Sequence, residues 1–137
     1  MYAMVRQFLE QLGAGDELIE YSAGDKRIAM AALLFRVVTA DGKIRNDELA
    51  RYREILQDEL DVSPDEIELF ERMVRDEVEH EPSLFPFTTI VSKMPIETKR
   101  RILDLMRDLS VSDHELHEFE INLVARTAEL LGVDIDE

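Results

Sequence analysis

The chain has 137 residues, of which 45% are apolar and 34% are charged, as expected for a soluble globular domain with one hydrophobic core. It contains no cysteine, which excludes disulfides, thiolate zinc sites and cysteine nucleophiles. The net charge of −15 argues against nucleic-acid binding, because an acidic surface repels phosphate, and it favours cations or basic protein surfaces as partners.

The sequence shows neither a secretion signal nor a membrane span. The opening segment MYAMVRQFLEQLG is interrupted by Arg6 and Glu10, so it lacks the apolar run of a signal peptide. The longest apolar run, residues 28–35, is far too short to cross a bilayer. We therefore expect a cytoplasmic protein without direct membrane insertion.

The first half of the chain has helical periodicity. Residues 2–12 carry one apolar face, and residues 26–39 are apolar on almost every side, which predicts a helix in the centre of a bundle. Asp41 and Gly42 then indicate a turn. The next helix is expected to run to about Leu60, with Asn46 or Asp47 as its N-cap.

The second half continues the helical pattern. The segment SPDE at residues 63–66 predicts a helix start with Ser63 as N-cap, and that helix should end near His80. Residues 83–93 predict a short helix or turn, and a longer helix restarts behind Pro95. The last helix should end at Gly132, with these residues on one face: Leu116, Phe119, Leu123, Thr127 and Leu130.

Part of the chain repeats itself at an offset of 72 residues (113 − 41). Asp41 then aligns with Asp113, and Glu48 aligns with Glu120. The flanking apolar positions align as well, so an apolar helix, an acidic turn and a second helix occur twice. A single helix pair of this kind cannot bury its apolar face, whereas two packed copies can.

These patterns predict an all-α fold, a helical bundle of about six to seven helices built from a duplicated helix-turn-helix unit. We assign a single domain over residues 1–137, with residues 1–25 as an N-terminal extension. The two repeat units cover residues 26–62 and 98–134.

The first turn, TADGKIRNDEL, permits two interpretations. Asp41, Gly42 and Glu48 match positions 5, 6 and 12 of a calcium-binding EF-hand loop, but Val37 and Thr39 occupy the first two ligand positions. A regular EF-hand is therefore excluded, and a weaker site for a hard cation remains. Alternatively, Asp41 accepts backbone N–H bonds at a helix corner while Glu48 offsets the positive end of the next helix dipole.

The second turn, SDHELHEFE, adds two histidines. His114 and His117 would share one helix face, and together with carboxylates they could bind zinc or nickel. Because no third histidine and no HExxH pattern accompany them, we interpret them as solvent-exposed histidines.

The sequence contains no pattern typical of an enzyme. There is no glycine-rich phosphate loop, no Gly-x-Ser-x-Gly motif and no dinucleotide fingerprint. We therefore expect neither enzymatic activity nor an organic cofactor.

At its two turns the sequence resembles the tellurite-resistance TerB family. The family pattern is an apolar helix ending in Ala-Asp-Gly, followed by an aliphatic residue and a glutamate that opens the next helix. The first copy here is LLFRVVTADGKIRNDELARY, and the second is LDLMRDLSVSDHELHEFEINLVARTAELLG. The second copy departs from the pattern, because Ser112 replaces the alanine and His114 replaces the glycine. The resemblance covers residues 26–137.

The resemblance implies an all-α bundle that acts in a stress response as a metal-sensing or protein-interaction module. It also implies that the metal-binding positions are Asp41, Glu48, Asp113 and Glu120. Two hypotheses follow. In the first, the acids bind a divalent cation, calcium rather than zinc, and the module signals to a protein partner. In the second, the acids are structural corner caps of a metal-free interaction module. Both leave a different protein and a second copy of this chain (a homo-oligomer) open as partners.

Overall fold

The computed structural model describes residues 23–40, 42, 44–110 and 118–134. The helix predicted for residues 2–12 lies outside this part of the chain. The described residues form six helices and no strand, which confirms the all-α prediction. The helices are α1 (Ala23–Val38), α2 (Asn46–Asp58), α3 (Ile67–His80), α4 (Phe85–Val91), α5 (Ile96–Ser110) and α6 (Glu118–Leu131).

Helix α1 is the centre of the bundle, as its composition predicted. It contacts each of the other five helices. Because neighbours surround it, apolar side chains are buried on nearly all of its sides rather than along one stripe. The buried apolar residues of α1 are Ala29, Ala31, Ala32, Leu33, Leu34, Phe35, Val37 and Val38.

The helices of the two halves follow the 72-residue offset. Shifted by 72, residues 23–38 of α1 become 95–110, and α5 spans 96–110. Residues 46–58 of α2 become 118–130, and α6 spans 118–131. Equivalent positions are buried in both pairs: Leu33 and Leu105, Leu34 and Met106, Val37 and Leu109, Tyr52 and Val124, Ile55 and Thr127, Leu56 and Ala128.

Two glycines adopt the left-handed conformation where a helix ends. Gly42, after α1, has φ +80°, and its N–H donates to the Thr39 carbonyl at 3.0 Å. Gly132, after α6, has φ +71°. Its N–H donates to Glu129, and the Val133 N–H donates to Ala128, which is the paired bonding of a Schellman motif. Both glycine positions were predicted from the sequence.

The predicted helix start at Ser63 is wrong. Helix α3 begins at Ile67. Ser63 is instead the first residue of a turn, which is closed by a hydrogen bond from the Glu66 N–H to the Ser63 carbonyl at 3.0 Å. Pro64 fits the second position of such a turn as well as it fits the first position of a helix. Residues 83–93, for which a short helix or a turn was predicted, contain the short helix α4.

Candidate metal-binding turns

Glu48 lies in the first turn of α2, as predicted, and its side chain is buried. It is the third residue of the helix and is only 1% exposed. The same face of α2 buries Tyr52, Ile55 and Leu56. Glu48 therefore occupies an apolar-face position of the helix rather than a solvent-facing one.

Arg45 is the N-cap residue of α2, where Asn46 or Asp47 had been expected. Its backbone is extended, with φ −96° and ψ 142°, and its side chain does not bond to the helix N–H groups. Its carbonyl accepts the first helical bond, from the Leu49 N–H at 2.9 Å. The guanidinium instead donates from Nη1 to Oε1 of Glu48 at 3.2 Å.

This ion pair joins one buried and one partly exposed group. The Glu48 side chain is 1% exposed and the Arg45 side chain 29%. A buried carboxylate is costly unless it is paired or coordinates a cation. Arg45 supplies such a pairing from the edge of the site, where its own charge still reaches water.

Glu120 repeats the placement of Glu48 in the second half. It is the third residue of α6 and is also 1% exposed. Its neighbours along the buried face of α6 are Val124, Thr127 and Ala128. Both halves of the bundle thus bury a glutamate in the first turn of the second helix of the pair.

The other predicted site residues lie outside the described residues. These are Asp41 in the first turn and Asp113 in the second, and the two histidines of the second turn, His114 and His117, also lie outside the described residues. Within the described ranges, no group of three or more His, Asp or Glu side chains is placed to hold a metal ion. Among the side chains that the structure describes, the first turn thus contributes the buried carboxylate of Glu48 and the second that of Glu120.

A buried carboxylate oxygen is the type of ligand that calcium and magnesium prefer. Calcium takes about six to eight oxygen ligands, so one glutamate per turn would need Asp41 or Asp113, backbone carbonyls and water to complete the shell. The chemistry of Glu48 and Glu120 therefore fits a hard cation as far as the described residues reach.

Tyr52 fixes the helix that carries Glu48 against the central helix. Its ring is fully buried beside Phe35, with ring centroids 5.4 Å apart, and its hydroxyl donates to the Ala31 carbonyl at 3.1 Å. Burial raises the pKa of Tyr52 far above its usual value, so the hydroxyl remains a donor. Because Glu48 is one turn before Tyr52, this contact also determines the position of the carboxylate.

A cavity lies between α1, α5 and the segment that follows α2. It has a volume of about 290 Å³ and an apolar floor that includes Met30, Leu60 and Ile102. At its rim Arg101 donates hydrogen bonds to Glu59 and holds the pKa of that carboxyl below its usual range. Of the predicted site residues that the structure describes, neither Glu48 nor Glu120 lines this cavity.

The fold and its turns define a class of protein: an all-α module made of two related helix pairs, each with a buried acid at the start of its second helix. The chain belongs to the TerB family, since the family model described as "Tellurite resistance protein TerB" matches residues 27–137. This confirms the family that the two turns indicated.

The fold is also similar to a solved structure. A crystal structure of a protein of unknown function from Porphyromonas gingivalis W83 matches with a TM-score of 0.65 and 20% identity, over 85% of this chain and 83% of that one. At this identity the likeness shows the fold alone. No curated protein matches the chain. No helix in the described part of the chain combines the length and apolarity needed to span a membrane.

Proposed function

We propose that this protein is a cytoplasmic TerB module that binds a divalent cation at its two acidic turns and transmits its bound state to a protein partner during a stress response. The observation that carries the proposal is the burial of Glu48 and Glu120, each 1% exposed, at equivalent positions of the two halves. A binding role, rather than an enzymatic one, agrees with the absence of a catalytic motif in the sequence.

The composition favours calcium over zinc. The chain has no cysteine, and the buried groups are carboxylates, which suit hard cations better than zinc. A net charge of −15 also raises the local concentration of cations around the molecule. The stress-response part of the proposal rests on the family description, which names tellurite resistance.

The alternative is a metal-free interaction module in which the acids only shape the corners. Two observations favour it. Both glutamates lie in the first turn of a helix, where a negative charge gains about 0.3–1 kcal/mol from the helix dipole. Arg45 already supplies positive charge to Glu48.

Thermal unfolding separates the two functions. The protein is unfolded in EDTA and then with calcium, magnesium or zinc, for the wild type, Asp41→Asn and Glu48→Gln. A cation at a hundred times its dissociation constant should stabilise the fold by about 2.7 kcal/mol per site, which is several degrees for a domain of this size. The matched control is Glu129→Gln, which removes the same charge from a side chain that is 71% exposed.

Cation binding predicts a shift in the wild type and the control that is reduced in Asp41→Asn and Glu48→Gln. If no cation shifts the wild type, the proposal is wrong and the turns are structural. In that case Asp41→Asn should lower the stability equally with and without metal, by about 0.5–2 kcal/mol as for a lost cap.

A further inference from the structure

In the first turn, the carboxylate that we propose as a cation ligand is already paired with a positively charged side chain. Arg45 Nη1 lies 3.2 Å from Glu48 Oε1, and Glu48 is almost completely buried. An arginine side chain stays protonated at every physiological pH, so this charge is permanent.

A divalent cation and the Arg45 guanidinium are poorly compatible on the same oxygen. Calcium binds carboxylate oxygens at about 2.3–2.6 Å. With Nη1 3.2 Å from the same Oε1, the two positive centres could be no farther apart than about 6 Å, at an oxygen shielded from water. Their repulsion is weakly screened there, so binding of the cation requires Arg45 to move away.

The Arg45 side chain can move into solvent, whereas the Glu48 side chain cannot. It precedes the first residue of α2, and its side chain is 29% exposed. The guanidinium can therefore rotate into water on its flexible stem without disturbing the helix. The carboxylate, at 1% exposure within the helix, has no such freedom.

We infer that Arg45 is an internal competitor for the first turn: it neutralises the buried Glu48 carboxylate when no metal is bound, and a divalent cation must displace it. This inference rests on the proposed cation binding and adds its regulation, since Arg45 stabilises the metal-free state and weakens the affinity of the turn. The position 72 residues after Arg45 holds His117, outside the described residues, so the inference concerns the first turn only.

The test compares calcium titrations, followed by calorimetry on the full chain, of the wild type and Arg45→Gln. Without the competing charge, Arg45→Gln should bind calcium about tenfold more tightly at one site, equivalent to about 1.4 kcal/mol. In EDTA the same variant should unfold at a lower temperature, because Glu48 loses its counter-charge. Arg45→Lys, which keeps the charge, should bind like the wild type.

Two further variants assign the effect. Arg126→Gln removes the same charge from another arginine–glutamate pair with three-residue spacing, Arg126 and Glu129 at 3.1 Å, whose side chains are 62% and 71% exposed. It should leave calcium affinity unchanged. In the double variant Arg45→Gln with Glu48→Gln, the tighter site should disappear, because its carboxylate is gone.

The outcomes separate the inference from the proposed function. If the wild type binds calcium and Arg45→Gln binds no more tightly, the role of Arg45 is refuted while cation binding stands. If neither the wild type nor Arg45→Gln binds calcium, both the inference and the proposed cation binding are refuted. If Arg45→Gln is unfolded in EDTA, the calcium concentration that restores its helical circular dichroism is compared with the one that half-saturates the wild type. Recovery at or below that concentration supports the inference, and recovery only above it, or none, overturns it.

Discussion

Replacing Tyr52 by phenylalanine tests how α2, and with it Glu48, is fixed to the central helix. The substitution deletes one hydroxyl and leaves the buried ring in contact with Phe35. The hydroxyl donates to the Ala31 carbonyl at 3.1 Å, and no part of Tyr52 is exposed to water that could replace the bond. We expect the free energy of unfolding to fall by about 1 kcal/mol, the net value of a neutral buried hydrogen bond.

The expected loss of stability is small, and it corresponds to a measurable change in Tm. The Ala31 carbonyl lies within α1 and is also an acceptor for the helix, so losing Tyr52 does not leave it without a partner. An unfolding entropy of roughly 2.1 cal/mol/K per residue gives about 290 cal/mol/K for this chain, so 1 kcal/mol corresponds to about 3–4 °C in Tm.

Urea denaturation followed by circular dichroism, carried out in EDTA, measures this difference. Tyr52→Leu is the companion variant. It loses the ring as well as the hydroxyl, so it should be clearly less stable than Tyr52→Phe. A Tyr52→Phe protein as stable as the wild type, or one destabilised by more than about 3 kcal/mol, would refute the assignment of a single ordinary hydrogen bond.

Two further predictions concern charge and backbone. Burial, and then the neighbouring Asp76, raise the pKa of Glu77, so the folded state binds this proton more tightly and stability falls as pH rises through the raised pKa. Glu77→Gln should therefore stabilise the protein near pH 7 and give no gain below about pH 4, where glutamate is protonated in both states, which urea titrations at the two pH values would check. Gly42→Ala should destabilise by about 1–2 kcal/mol, because φ is +80° there although a Cβ would meet no neighbour. Denaturation of Gly42→Asn, which tolerates this conformation better, should show a smaller loss.

The helices could be predicted because apolar periodicity and glycine stops are local signals. The centre of the bundle was evident in residues 26–39, since a helix that is apolar on nearly all sides must be surrounded. The prediction of a helix start at Ser63 was wrong because Ser-Pro begins turns as well as helices. Where α3 begins is decided by its packing against the rest of the bundle.

The burial of the glutamates was missed for a different reason. On α6 the sequence predicted a face with Leu123 and Leu130, both of which are only partly buried, whereas the buried face contains Glu120 and Val124. A face chosen from apolar residues alone therefore points away from Glu120. The signal was available in α2, where Glu48 precedes the buried Tyr52 by four residues and Ile55 by seven, the spacing of one helix face.

The Arg45 contact could not be derived from the pattern either. Arginine three residues before a glutamate is ordinary on an exposed helix, as in the pair of Arg126 and Glu129. What distinguishes Arg45 is the burial of its partner, and burial depends on how α2 packs against α1 and α5. The spacing in the sequence predicts that Arg45 and Glu48 can form an ion pair. That the pair neutralises a buried carboxylate is seen only in the tertiary structure.

The burial of both glutamates is the strongest argument against a purely structural role for them. A helix start needs a negative charge only near its first turn, and in α2 the exposed Asp47 already provides one. A second acid that served the dipole alone would be equally effective in water and would avoid the cost of desolvation. Instead, Glu48 and Glu120 each take an apolar-face position of their helix, in both halves of the bundle. That cost is offset when a cation or a guanidinium meets the carboxylate, and in the first turn the Arg45 guanidinium meets the Glu48 carboxylate at 3.2 Å.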